Sequence, residues 1–256
     1  MQSKLLYINP AAKTKQITAF IKKTLSEQQK QHVVIGLSGG IDSATSLFLL
    51  KNSLFLENIY IVYLPYFDNH SSDIREITES IQLPGKQITT ISIKPMVDII
   101  SKTLGVSGKD NVRKGNIMAR VRMIALFDLA RKLNALVCGT ENRSEHHLGY
   151  FTRFGDEASD FEPLQHLYKT QVYELAKYLK VPQFVIEKTP SANLWQNQTD
   201  ENELGFSYKE ADCVLYLYFD TKISVKDIKA QGFENAEKII EFAQKNAYKH
   251  HVPYKI

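Results

Sequence analysis

Residues 33–46, VVIGLSGGIDSATS, run from a β-branched apolar stretch through a Ser-Gly-Gly turn and an acid into a helix-compatible segment. No other feature restricts the fold as much. A strand feeding a helix through a tight glycine turn belongs to parallel α/β architecture, and the turn exposes backbone amides at a helix N-terminus. Gly39 and Gly40 permit close backbone approach, Ser38 and Ser43 offer hydroxyls, and the helix dipole adds partial positive charge. The turn is an anion site in outline. It is not GxxxxGK[ST], because no Lys follows the glycines, and it is not GxGxxG. Asp42 admits two readings: a carboxylate that brings Mg2+ to a phosphate that would otherwise repel it, or a cap for the following helix.

The same strand-then-helix order recurs. Apolar runs at 32–37, 59–64, 88–93 and 135–139 read as strands. Helical periodicity spans 73–82, 95–104 and about 116–134, and the first thirty residues read as a helix with Pro10 near its start and Ile17, Phe20, Ile21 and Leu25 on one face. The expected fold is therefore α/β, an open doubly wound parallel sheet with helices on both faces, Rossmann-like in outline. Helical patterns return at 169–180, 208–219 and 233–247. The glycine-rich, charged segment 104–116 and the polar segment 191–207 read as mobile loops. With no repeat and no linker, residues 1–256 read as one domain.

Composition narrows the function classes. Apolar content of 43% supports a sizeable core, and no window offers the roughly 18 uncharged apolar residues a membrane span needs. The N-terminus shows no secretory signal. Two cysteines, Cys138 and Cys213, make neither a disulfide framework nor a metal cluster, which points to a reducing cytoplasm. The net charge of +4 is spread along the chain, so nucleic acid is not an expected partner and a small anionic substrate is. His146 and His147 are adjacent and face different ways, with no third ligand at a known spacing; they read as polar surface, not as a zinc site.

Several stretches together carry a family resemblance: GLSGGIDS (36–43), KGNIMARVRM (114–123), VCGTENRSE (137–145), GYFTRFGDEASDFEPL (149–164), LYKTQVYELAKYL (167–179) and KTPSANLWQNQTDENELG (188–205). Their order over about residues 10–215 resembles the ammonia-dependent NAD synthetases of the N-type ATP pyrophosphatase superfamily, whose fold is adenine nucleotide alpha hydrolase-like. The resemblance implies a ligase of NAD biosynthesis: the nicotinate carboxylate of deamido-NAD attacks the α-phosphate of ATP, pyrophosphate leaves, and ammonia then displaces AMP.

The resemblance also implies site residues. Gly36, Leu37, Ser38, Gly39, Gly40, Ile41, Asp42 and Ser43 would hold ATP phosphates, with Thr140, Lys169 and Ser191 as further ATP contacts. Asp42 and Glu145 match the Mg2+ ligands, and Asp42 and Lys169 the catalytic pair. Arg120, Arg153 and Asp160 match deamido-NAD contacts, and Lys249 and His250 are the nearest match to a C-terminal basic pair. Arg153 stands where Lys is common, Met118 likewise, and Glu157 replaces a small residue. Trp195 would be an interface anchor or an aromatic lid. The family forms homodimers, and its glutamine-using members carry an amidase domain for which 256 residues leave no room, so free ammonia is the expected donor. A tRNA-modifying relative would bring an RNA-binding module and catalytic cysteines. A non-enzymatic nucleotide sensor would lack Asp42 or Glu145.

Overall fold

The computed structural model describes residues 5–67, 71–195, 197–251 and 253–254. Four parallel strands, β1 (His32–Gly36), β2 (Ile59–Tyr63), β3 (Ile88–Thr90) and β4 (Ala135–Cys138), lie in the order β3-β2-β1-β4. Val33 stands opposite Ile59 on one side and Leu136 on the other. The chain works outward from β1 to β3 and then crosses to the far side of β1. That reversal opens a crevice at the carboxyl ends of β1 and β4, where open α/β sheets take ligands.

The helices in chain order are α1 (Pro10–Glu27), α2 (Ile41–Ser53), α3 (Ser71–Ser80), α4 (Lys94–Thr103), α5 (Asn111–Leu133), α6 (Arg143–Leu148), α7 (Lys169–Leu179), α8 (Gln183–Glu187), α9 (Asp200–Leu204), α10 (Tyr208–Leu215), α11 (Val225–Ala230) and α12 (Ala236–Asn246). The pleat decides which of them covers which face. Val33, Ile35, Ile59 and Ile61 pack on one side with Ile17, Ile21, Leu47, Ile77 and Val172, from α1, α2, α3 and α7. Val34, Val62 and Val137 pack on the other with Val97 of α4 and Met118 and Val121 of α5. Helices cover both faces, as the apolar strands require. A third apolar cluster unites α10, α11 and α12 with Leu148 and Tyr168.

Local chemistry moves several boundaries. Of the first thirty residues, 1–4 lie outside the described set, and α1 starts at Pro10 with the Asn9 side chain accepting from the Ala12 amide at 3.1 Å. α5 begins inside the segment expected to be a loop, because the Asp110 carboxylate accepts from the Arg113 amide at 3.1 Å and caps it. The 191–207 segment holds α9 and is tied down: the Tyr150 hydroxyl donates to Glu203 at 2.8 Å and Gln198 Nε2 to the same carboxylate at 2.9 Å. The helix expected over 208–219 ends at Leu215 and widens into a π turn over Tyr216–Asp220.

The outer edge of β4 is not left open. Gly139 N donates to Phe161 O at 2.9 Å, Asp160 N to Val137 O at 2.9 Å, and the Asp160 carboxylate accepts from Val137 N at 2.7 Å. A strand-like segment at 160–161 thus shields the edge at the mouth of the crevice.

Candidate active site

A cavity of about 790 Å³ opens over the carboxyl ends of β1, β2 and β4. One wall is the Ser-Gly-Gly turn. Its hydroxyls are turned inward: Ser38 Oγ and Ser43 Oγ lie 3.0 Å apart, Ser43 Oγ donates to Gly40 O at 3.1 Å, and Gly40 N donates to Ser38 Oγ at 3.2 Å. The serines therefore set the shape of the loop. No side chain caps α2, so the first-turn amides of Ile41, Asp42 and Ser43 lack helical partners and border the cavity.

Asp42 does not cap its helix. Its Oδ2 accepts from Lys169 Nζ at 2.6 Å and its Oδ1 from Asn142 Nδ2 at 3.0 Å. Lys169 Nζ also reaches Glu145 Oε1 at 3.0 Å, so one ammonium joins two carboxylates from different elements. Lys169 is only 2% exposed, whereas the Asp42 and Glu145 side chains are 16% and 17% exposed, which leaves carboxylate surface open to solvent. Asn142 is fully buried and does two jobs. Its Oδ1 accepts from the Ser144 and Glu145 amides at the start of α6, and the Glu145 carboxylate returns to the Asn142 amide, a reciprocal capping box.

The electrostatics follow from burial. Desolvation, reinforced by Asp42 and Asp200 and opposed by Lys169, pushes Glu145 up to about 8. Burial opposes the charge on Lys169, but Asp42, Glu145 and Asp200 hold its ammonium well above the usual lysine range. Burial also raises Asp200, whose carboxylate accepts from the Tyr208 hydroxyl at 3.1 Å. With Glu145 and Asp200 both raised, a second cation beside Lys169 would favour their charged forms. Among the described residues no three His, Cys, Asp or Glu side chains converge as a metal-ligand set. A cation here would rest on the hard oxygens of Asp42 and Glu145 and on those of a bound phosphate, a donor set of the kind Mg2+ accepts.

The sequence model of the NAD synthase family matches residues 13–253. The chain belongs to the NAD synthase family. It is 46% identical over 222 residues to the NH3-dependent NAD+ synthetase of Pyrococcus furiosus, covering 86% of this chain and 84% of that one. Among solved structures, the NMN synthetase of Francisella tularensis superposes with a TM-score of 0.81 at 34% identity, covering 98% of this chain and 99% of that one. The NH3-dependent NAD synthetase of Campylobacter jejuni gives 0.80 at 30% identity, covering 97% and 100%.

Against the positions the family resemblance implied, the structure gathers one group and separates another. Gly36, Leu37, Ser38, Gly40, Ile41, Asp42, Ser43, Thr140, Glu145, Lys169, Ser191 and Lys249 all line the cavity. Gly39 is not itself among the lining residues and takes φ +79°, a left-handed conformation suited to glycine. Arg120, Arg153, Asp160 and His250 do not line it. Arg120 donates to the Arg153 carbonyl from Nε and Nη2 at 3.3 and 3.2 Å. The Arg153 guanidinium lies over the Phe154 and Tyr248 rings, and the His250 ring is 4.4 Å from that of His146. Lys249 Nζ donates to the Gly149 and Phe151 carbonyls, and burial lowers its pKa.

Besides Arg153, the other two departures of sequence have structural places. Met118 is fully buried in the core under α5, and Glu157 Oε2 accepts from the Phe154 amide at 3.1 Å, closing a turn. Trp195 is on the cavity wall. The two histidines diverge: His146 contacts Glu141 at 3.3 Å, while His147 stacks on Phe219 with centroids 4.5 Å apart. Sequence reasoning missed Asn142 and Asp200. The N-x-x-E spacing of Asn142 and Glu145 carried a capping signal; nothing local announces that Asp200 packs near Lys169.

Proposed function

We propose that this chain amidates deamido-NAD with ammonia at the expense of ATP, yielding NAD, AMP and pyrophosphate through an adenylated carboxylate. The observation that carries the reading is the Lys169 bridge between Asp42 and Glu145 beside the uncapped N-terminus of α2. A carboxylate oxygen of the acceptor attacks the α-phosphorus, and the bond to the bridging oxygen of the β-phosphate breaks, releasing pyrophosphate. The nitrogen of ammonia then attacks the acyl carbon, the bond to the AMP oxygen breaks, and the nitrogen gives up its extra proton. The first-turn amides of α2 receive phosphate oxygens, while Lys169 fixes the two carboxylates in orientation. Mg2+ held by Asp42 and Glu145 would neutralise phosphate charge there, as the oxygen donor set allows. The chemistry asks mainly for positioning, because an acyl-adenylate is reactive in itself.

Three further readings go with this one. Thr140, Lys169 and Ser191 serve ATP, and Arg120, Arg153, Asp160, Lys249 and His250 serve the dinucleotide. Several of the second group lie off the cavity wall, an arrangement that suits a site completed by a second copy, so the working form is a homodimer. The chain acts as one NAD synthetase unit in the cytoplasm, where two buried thiols remain unpaired. Among the described residues no helix is long and apolar enough to cross a membrane.

The test supplies ATP, Mg2+ and either ammonia or glutamine, with deamido-NAD and nicotinate mononucleotide offered in parallel because one similar structure is an NMN synthetase. Ammonia-dependent NAD formation, reduced about a hundredfold or more in Asp42→Ala, is the expected result. Product from the mononucleotide alone would move the acceptor assignment and leave the ATP half in place. Sedimentation of the same sample reads the dimer.

A further inference from the structure

The glycine turn lacks the lysine that GxxxxGK[ST] loops carry, and Lys169 is already held between Asp42 and Glu145. The triphosphate tail still needs positive charge as its terminal two phosphates leave. Tertiary structure brings such a charge from a distant segment. Lys188, the residue just after α8, places Nζ beside the turn: a Cβ built on Gly39 would lie 3.6 Å from it. Lys188 lines the cavity, and its side chain is 24% exposed. Asp73, in the first turn of α3, pairs with Lys188 at 2.8 Å, and its own Cβ is 3.6 Å from the same built position on Gly39. Asp73 is not part of the cavity wall. Asp73 Oδ2 is 3.7 Å from that position, so carboxylate and ammonium stand side by side at Gly39, and of the two residues Lys188 is the one on the cavity wall.

Resting on the ATP-dependent reading above, we propose that Lys188 is a further catalytic residue, the cation that meets the departing pyrophosphate at the Gly39 side of the turn, with Asp73 as its positioning residue. The ion pair has a direct use. Lysine is a flexible point charge, and a carboxylate paired with it removes rotamer freedom before ligand arrives. Gly39 is part of the same device, because it adopts φ +79° and leaves the space between turn and ammonium narrow.

The probe is inorganic pyrophosphate with Mg2+, titrated calorimetrically into the full chain without acceptor or ammonia. Lys188→Met should weaken pyrophosphate about tenfold or more, and Lys188→Arg should keep affinity within about threefold of wild type. In turnover, Lys188→Met should raise the KM for ATP and lower kcat while the KM for the acceptor stays put. In the wild-type protein, pyrophosphate should protect Lys188 from an amine-reactive label read by mass spectrometry, a measurement that does not depend on a variant folding. The proposal is overturned if Lys188→Met binds pyrophosphate like wild type, or if Lys188 is labelled equally with and without it. A wild-type enzyme that binds pyrophosphate through Lys188 yet makes no NAD would count against the acceptor assignment and not against this residue.

Discussion

Asn142 shows how much one buried amide can settle. It caps α6 with Oδ1 and holds Asp42 with Nδ2, so the helix that carries Glu145 and the turn that carries Asp42 are registered to each other by one side chain. Replacing it separates the two jobs. Asn142→Ala removes the cap and should cost about 1–2 kcal/mol of stability. Asn142→Asp keeps a capping oxygen but sets a second oxygen against Asp42, where an amide nitrogen now lies 3.0 Å away. Activity should therefore fall further in Asn142→Asp than in Asn142→Ala, while stability falls in both. Thermal melting and the kcat of each variant read this; a larger activity loss in the alanine variant would reduce Asn142 to a cap. Close approach works similarly at Gly139, where a Cβ would sit 1.7 Å from Glu162 Oε1, so the buried carboxyl of Glu162 occupies the space that glycine leaves.

Elements were more legible than their ends. The β-branched runs did become a parallel sheet, because strands buried on both faces must be apolar throughout. The start of α5 was misread because one carboxylate, Asp110, outweighs the glycines before it. The segment at 160–161 could not be read as an edge strand, since its partners are Val137 and Gly139, across the chain from it. Asp160 links this element to the question of function. Its carboxylate is the acceptor for Val137 N, and Asp160→Ala should leave that amide unpaired at a cost of about 1–3 kcal/mol. Asp160→Asn keeps an acceptor oxygen and should recover most of that stability in denaturant unfolding. If the asparagine variant is stable but raises the KM for the dinucleotide, Asp160 serves the substrate as well as the sheet edge.

At the scale of the whole molecule, the C-terminal helices are joined to the site through buried polar groups. Asp212 of α10 accepts from the Ser144 hydroxyl and from Thr170 N, and Lys169 N donates to Ser144 Oγ at 2.8 Å, so α10 clasps the starts of α6 and α7. His147 lies at the same junction, stacked on Phe219 and accepting from Arg143 Nε at 3.2 Å. Burial, then Arg143, pushes it down to about 3. An unfolded histidine titrates near 6.5, so between about pH 6.5 and about pH 3 the unfolded chain binds more protons, and stability falls as pH drops through that window. Asp212 acts in the opposite sense: burial raises it to about 6, and the stability it contributes is lost as pH rises through that value. His147→Phe should flatten the decline in melting temperature between about pH 6.5 and pH 4, with the ring stack retained; an unchanged slope would place the acid limb elsewhere. Short-range periodicity and residue types at fixed spacing were enough for the parallel α/β class, for the glycine turn ahead of α2 and for the family. Packing of the whole chain was needed to show that Lys169 bridges Asp42 and Glu145, that Asn142 and Asp212 hold the elements in register, and that Lys188 stands beside Gly39. Those contacts join residues far apart in the chain, and only the burial of both sheet faces brings them within bonding distance.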